Sequence, residues 1–478
     1  MSRRPSLRPN VRPDHPVGAR PFLTLLVASG GFVIVLDSFA AAVAFPRLVE
    51  SFADTPRSTL AWVSSGYSIA LAALLLVAGA LADRYGGRRV YLAGMAAFSV
   101  GALASAIAPG PALLIAARVF QGCAGAMMIS TSIALALADY PAERRGVAMG
   151  WLGVMGSIAS LAGPVLAGTI IDVGGSWRWV FLVSVPIGVV VLVTGPRVLP
   201  AGGGSGTDGR ASPIDLVAVA LVVVASGLLT LAILRTAEWG WIDARTAGTL
   251  AASLVLWALF VARCGRVPSP LLRLGLFRER AYRVASVSQL GSQFGIFAFF
   301  FWTPLFMENV WGWRASTVGW VVAIPLVLSF ISMPVGRLTD RYGSRGVLVV
   351  GGAIGVAAHA WWWWAMTEQP SFGRLLPGLV LFGVAIGMVG ITAASAALAR
   401  TDRADLAMAN SAFQTGRRLT QTLGVAAVIA ILGDRATDSI DRFRVVWVVA
   451  GIGFAIHLVT ALRYPVLGRP GPSGAAER

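Results

Sequence analysis

Lysine is absent from this 478-residue chain; all 39 basic residues are arginine. Cysteine occurs twice (Cys123, Cys264) and histidine three times (His15, His359, His457). These are too few and too scattered for a disulfide framework or a metal cluster. A Walker A loop needs its lysine, so that motif is excluded. A formal Gly-x-Gly-x-x-Gly at Gly204, Gly206 and Gly209 follows no strand and is no nucleotide site. No nucleophile–base–orienter set is visible, so an enzyme is not expected. No cofactor is expected either, and energy would have to come from an ion gradient, a substrate gradient or a partner.

Charge is also scarce. Only 13% of residues are charged, 56% are hydrophobic, and the mean hydropathy is +0.74. So few charges could not cover that much apolar surface in water, which makes the chain a polytopic membrane protein. The net charge of +17 is then a matter of position in the bilayer and does not imply nucleic acid. No stretch alternates strongly enough for a transmembrane barrel, so the expected fold is all-helical.

Fourteen apolar stretches are long enough to cross about 30 Å of hydrocarbon. They predict a basic tail (1–21), six helices (22–195), a Gly/Ser/Pro linker (196–213), two further helices (214–262), a basic loop (263–283), six more helices (284–462) and a second tail (463–478). The Ser2-Arg3-Arg4 start is read as part of the first tail and not as a twin-arginine signal. With the N-terminus inside, 26 arginines fall in cytoplasmic segments, 10 outside and 3 within spans. This asymmetry predicts that both termini are cytoplasmic. The Trp361–Trp364 run should form part of the outer aromatic belt.

One charged hairpin occurs twice. Residues 79–89 read Gly-Ala-Leu-Ala-Asp-Arg-Tyr-Gly-Gly-Arg-Arg, and residues 336–346 read Gly-Arg-Leu-Thr-Asp-Arg-Tyr-Gly-Ser-Arg-Gly. Gly79, Asp83, Arg84, Gly86 and Arg88 recur as Gly336, Asp340, Arg341, Gly343 and Arg345; Arg89 does not. Leucine and tyrosine also keep their offsets, which points to two related halves.

Within the spans, Asp37 is the only carboxylate placed deep, and a buried ionisable group there is a functional candidate. Arg118 in the fourth span lies within about 3 Å of the same depth, so the two are expected partners. The fifth span carries Gly153, Gly156, Gly163, Pro164 and Gly168, a pattern suited to close helix approach with a kink. Two polar stripes occur at helical spacing. The ninth span has Gln289 and Gln293 before Phe297 and Trp302, with Glu308 past its end. The thirteenth has Asn410, Gln414, Arg417 and Gln421.

These residues resemble the major facilitator superfamily. The repeated hairpin is similar to the loop motif between its second and third helices, residues 118–125 to its fourth-helix motif, and residues 150–168 to its antiporter glycine–proline motif. Fourteen spans, with Asp37 in the first and Trp177-Arg-Trp-Val-Phe-Leu before the sixth, resemble the drug:proton antiporter branch. Departures are Ser38-Phe39-Ala40 after the aspartate, Ser184 where asparagine is usual, and no acid in the tenth span, which disfavours a dication exporter.

The resemblance implies two six-helix bundles with two inserted helices, acting as a monomer in the plasma membrane. It implies proton-coupled export of a small amphipathic compound, aromatic or cationic, by alternating access. Asp37 would carry the proton, and Arg118 would govern its release. The hairpin would latch the halves on the cytoplasmic side, and the two stripes with Phe297 and Trp302 would line the cavity. An importer or facilitator of the same fold is the alternative; a non-transporting receptor or assembly partner is the alternative of another class.

Overall fold

A computed structural model describes residues 21–137, 145–200, 215–267, 270, 272–329, 335–398, 401, 406–433 and 439–465. Among them every regular element is helical. The first half holds α1 (Pro21–Ser51), α2 (Trp62–Tyr85), α3 (Gly87–Ala106), α4 (Pro111–Leu137), α5 (Arg145–Gly174) and α6 (Ser184–Val198). Then come α7 (Leu216–Leu234) and α8 (Ala244–Cys264). The second half holds α9 (Arg280–Asn309), α10 (Ala315–Ser329), α11 (Val335–Ala365), α12 (Phe372–Leu398), α13 (Leu406–Leu432) and α14 (Ile440–Leu462). Twelve described helices are long and apolar enough to cross a membrane. The other two are α10, of which 15 residues are described, and α13, whose polar face lowers its hydropathy. With these two the described long helices number fourteen.

The face where α1 begins and α14 ends is called here the terminal face, and its opposite the distal face. On the distal side one continuous hydrophobic core joins the halves. It runs from Phe45 and Trp177 to Phe301, Trp302 and Trp447. On the terminal side the core divides into two. One part is built around Tyr67, Tyr91 and Phe98 of the first half, the other around Tyr282, Phe413 and Tyr464 of the second. The halves therefore meet at the distal face and have separate cores at the terminal face.

Glycines set how closely the halves meet. A Cβ on Gly319 of α10 would collide with the Pro164 carbonyl oxygen of α5, and one on Gly168 with the Ala315 carbonyl oxygen. The α5–α10 crossing thus brings backbone against backbone, as small residues allow within a bilayer. Gly86 and Gly343, the matching glycines of the repeated hairpin, have φ of +89° and +75°. This left-handed region favours glycine and gives a backbone reason for the repeat.

The inserted pair packs at the seam. α7 lies against both α2 and α13, while α8 packs on α7. Ala73 and Leu419 meet Ala218, Val222 and Phe260 there. Asp215 caps α7 through the Ala218 amide at 3.0 Å and accepts from Arg263 Nε at 2.8 Å. Burial opposes its charge, yet these two donors hold its carboxyl below the usual range. The Trp361–Trp364 run does end α11 at the distal face, but Trp362 is wholly buried in the core while Trp363 and Trp364 are exposed.

Candidate proton and substrate site

Asp37 and Arg118 form a direct ion pair, Arg118 Nη1 donating to Asp37 Oδ2 at 2.7 Å. Nη1 also donates to Gln121 Oε1 at 2.7 Å, and Nε to the Val63 carbonyl at 3.2 Å. Gln121 Nε2 reaches Asp37 Oδ1 at 3.4 Å. The guanidinium lies over the Tyr67 ring, 4.3 Å from its centroid, with Phe181 at 5.2 Å. Asp37 and Arg118 are 4% and 0% exposed. A pair this dry is held by its hydrogen bonds, because mutual attraction alone only partly offsets the loss of hydration. Gln121 follows Arg118 by three residues and so shares its helix face. Nothing in the spacing of Tyr67 marks it as part of the site.

The pair is wired into the seam through α1. Gly163 of α5 faces the Leu36 carbonyl, which a Cβ would approach to 2.8 Å. Phe39 packs edge-on against Phe300 at 4.5 Å and stacks on Phe297 at 6.0 Å. A shift of α1 at Asp37 therefore reaches α5 on one side and α9 on the other.

In the second half the two stripes meet. Gln293 Oε1 accepts from Gln421 Nε2 at 2.9 Å and from Arg417 Nε at 3.3 Å. Gln289 is buried on the same face of α9, while Asn410 and Gln414 are half-buried on α13. Two residues expected in this cavity lie elsewhere. Trp302 is wholly buried inside the second half, against Phe299, Trp362 and Trp447. It lies five positions beyond Phe297, so the helix turn points it away from α1. Glu308 sits at the distal end of α9, about four turns past Gln293, with Arg47 Nε 3.3 Å away. Ser288 likewise turns from the stripe and bonds His457 Nδ1 at 2.8 Å.

Glu308 belongs to a charge cluster between the halves that spacing alone did not reveal. Arg47 pairs with both Glu50 (2.9 Å) and Glu308. Asp172 of α5 accepts from the Ser316 amide at 3.0 Å and lies 3.8 Å from Arg314. Charges at helix ends look like ordinary solvated positions in a sequence, and only the fold places these five together.

For the hairpin, Arg84 lies over the exposed Tyr85 ring at 5.5 Å, and Arg88 Nη1 donates to the Leu199 carbonyl at 3.4 Å, inside its own half. Arg89 is exposed, and a Cβ added to the half-buried Gly79 would meet nothing within 4 Å. The side chains of Asp83, Asp340 and Arg341 lie outside the described residues, as do the surroundings of Gly153. Gly156 has open space beside it.

A model of the Major Facilitator Superfamily matches residues 27–263 and 285–478. The chain belongs to this superfamily. It is a transporter, not an enzyme. Among curated relatives, the Tetracenomycin C resistance and export protein of Streptomyces glaucescens is 31% identical over 431 residues, covering 88% of this chain and 77% of the relative. The cephamycin export protein CmcT of Amycolatopsis lactamdurans is 30% identical over 448 residues, covering 93% and 91%. The solved structure of a peptide transporter in complex with sulfate superposes with a TM-score of 0.68 over 94% of this chain and 95% of that one, at 16% identity. That likeness concerns the fold alone.

Proposed function

We propose that this superfamily member exports small amphipathic organic compounds in exchange for protons, as a monomer in the plasma membrane, with its terminal face in the cytoplasm. The export proteins among its relatives support the direction, and the arginine asymmetry supports the sidedness. The observation that carries the coupling is the dry Asp37–Arg118–Gln121 cluster. Away from helix ends, Asp37 is the only carboxylate in a described membrane helix.

A proton arriving on Asp37 removes the anion that Arg118 compensates. Arg118 then keeps its bonds to Gln121 and Val63, and α1 is freed from α4. Its contacts through Gly163 and Phe39 pass that release to α5 and α9, the elements that close the distal seam. Return of the charge restores the pair and the seam. Cargo would bind between the halves, beside Gln289, Gln293, Arg417 and Gln421. The repeated hairpin, with Asp83, Arg84, Arg88, Asp340 and Arg341, would hold the terminal face shut in the alternate state. In that scheme the distal-closed arrangement described here is the inward-facing one, because its two cores are separate at the cytoplasmic side. A two-state device of this kind needs only differential contacts in each state.

Uptake of aromatic dyes and antibiotics into everted membrane vesicles under a proton gradient tests the reading. Uptake should appear with the wild type and vanish in Asp37→Asn at equal expression. Gradient-driven uptake that survives in Asp37→Asn would remove Asp37 from the mechanism. Reporter fusions within 196–213 and 263–283 should both read cytoplasmic.

A further inference from the structure

The charges at mid-depth do not balance. Three arginines lie within the predicted spans, Arg118, Arg417 and Arg418, against one deep carboxylate, Asp37. The structure spends that carboxylate entirely on Arg118, at 2.7 Å. Arg417 reaches an amide oxygen, Gln293 Oε1, and a neutral amide does not compensate a cation. The α13 stretch around Arg418 lies against α2, where Thr415 Oγ1 donates to the Ala72 carbonyl at 3.4 Å and Leu419 packs with Ala73, and Arg418 comes near Tyr67, the ring beneath Arg118. Among the described residues no carboxylate pairs with Arg417 or Arg418, and both are only partly exposed.

Adjacent cations in a poorly hydrated setting repel each other and attract any anion that can enter. An apolar surface adjoins them. Phe297 follows Gln293 by one helical turn on the same face of α9 and meets Phe39 of α1. The buried Gln289 Oε1 and Gln421 Oε1 have no hydrogen-bond partner among the described residues and could accept from hydroxyl or amide donors.

We infer that Arg417 and Arg418 form the receptor for an anionic group on the cargo, so that the exported compounds are aromatic organic anions, carboxylates or phenolates, seated against Phe39 and Phe297. This rests on the export reading above and narrows its substrate class away from cations. Guanidinium groups bind such oxygens through charge-assisted hydrogen bonds. No covalent step is involved. Exchange of an outgoing anion for an incoming proton moves charge in one direction across the membrane, so the membrane potential would assist both movements.

Two xanthene dyes of similar skeleton and opposite charge provide the test: fluorescein, an anion at pH 8, and rhodamine 6G, a cation. Binding to the purified full-length chain is followed by fluorescence polarisation. Fluorescein should bind at least about tenfold more tightly, the ratio expected for one charge-assisted contact. Arg418→Gln and Arg417→Gln should each lose about that factor for fluorescein and none for rhodamine 6G. Arg418→Lys should retain most of the affinity, which separates charge from a folding defect. Equal or reversed preference, binding of neither dye, or an unchanged fluorescein affinity in Arg418→Gln overturns the inference. Gradient-driven extrusion of rhodamine 6G from proteoliposomes without any preference for fluorescein would sink the inference and leave the export reading standing. Arginine-dependent fluorescein binding with no gradient-driven movement of either dye would do the opposite.

Discussion

The distal and terminal faces are built from the same helices, yet they are held in different ways. At the distal face one core runs through both halves, backbones touch at Gly168 and Gly319, and Arg47, Glu308, Asp172 and Arg314 gather at the rim. At the terminal face each half has its own core, and Arg88 bonds within its half. The difference teaches where this transporter stores its bias. Distal closure rests on packing that tolerates no added atom at Gly168 and Gly319, whereas towards the terminal face the two large cores are separate and the described link between the halves runs through α2, α7 and α13, with Thr415 Oγ1 donating to the Ala72 carbonyl at 3.4 Å. A membrane gives no hydrophobic drive between helices, so close packing and polar contacts must decide which face is shut.

The strongest way to break the contrast is at the α5–α10 crossing. Gly319→Val should prevent distal closure and abolish transport, because its Cβ meets the Pro164 carbonyl oxygen directly. Spin labels on the exposed Val173 and Trp320 should then report a longer and broader distance distribution. An unchanged distribution would show that the crossing does not control the face.

The terminal face can be probed through its repeat. Gly86→Ala and Gly343→Ala each place a side chain at positive φ, at a cost of about 1–2 kcal/mol. Both should lower thermal stability to a similar degree while leaving the distal spin-label distance unchanged. A large inequality between them would mean that the two hairpins are not equivalent in backbone.

The smallest effect is expected at the distal rim. Glu308→Gln removes one partner of Arg47, which keeps Glu50 at 2.9 Å. Single pairs with a partly exposed member contribute about 0–1 kcal/mol, so turnover should change by no more than a few-fold. High salt should narrow the gap between wild type and variant, since screening weakens the same pair. Complete loss of transport in this variant would make the charge cluster, and not the glycine crossing, the main closure.

Much of this molecule was legible in order along the chain. Length and hydropathy were enough for an all-helical membrane protein, because a bilayer demands internally satisfied backbone and about 20 apolar residues per crossing, and the motifs at 79–89, 118–125 and 150–168 then pointed to transport. Repeated glycines at 86 and 343 announced two related halves, since only glycine accepts that backbone freely. Depth counting brought Asp37 and Arg118 to one level, because helical rise is constant. What a one-dimensional count could not supply was rotation about each helix axis. Trp302 and Ser288 share helices with Phe297 and Gln293, yet they face the interior of their own half. Glu308 follows the same glutamines but belongs to the distal rim. Rotation depends on which neighbour each face meets, and that is settled by packing between segments distant in sequence. Tertiary structure alone therefore decided that Tyr67 lies beneath Arg118, that Arg418 comes near Tyr67, that Arg47 finds Glu308, and that one core spans both halves at the distal face.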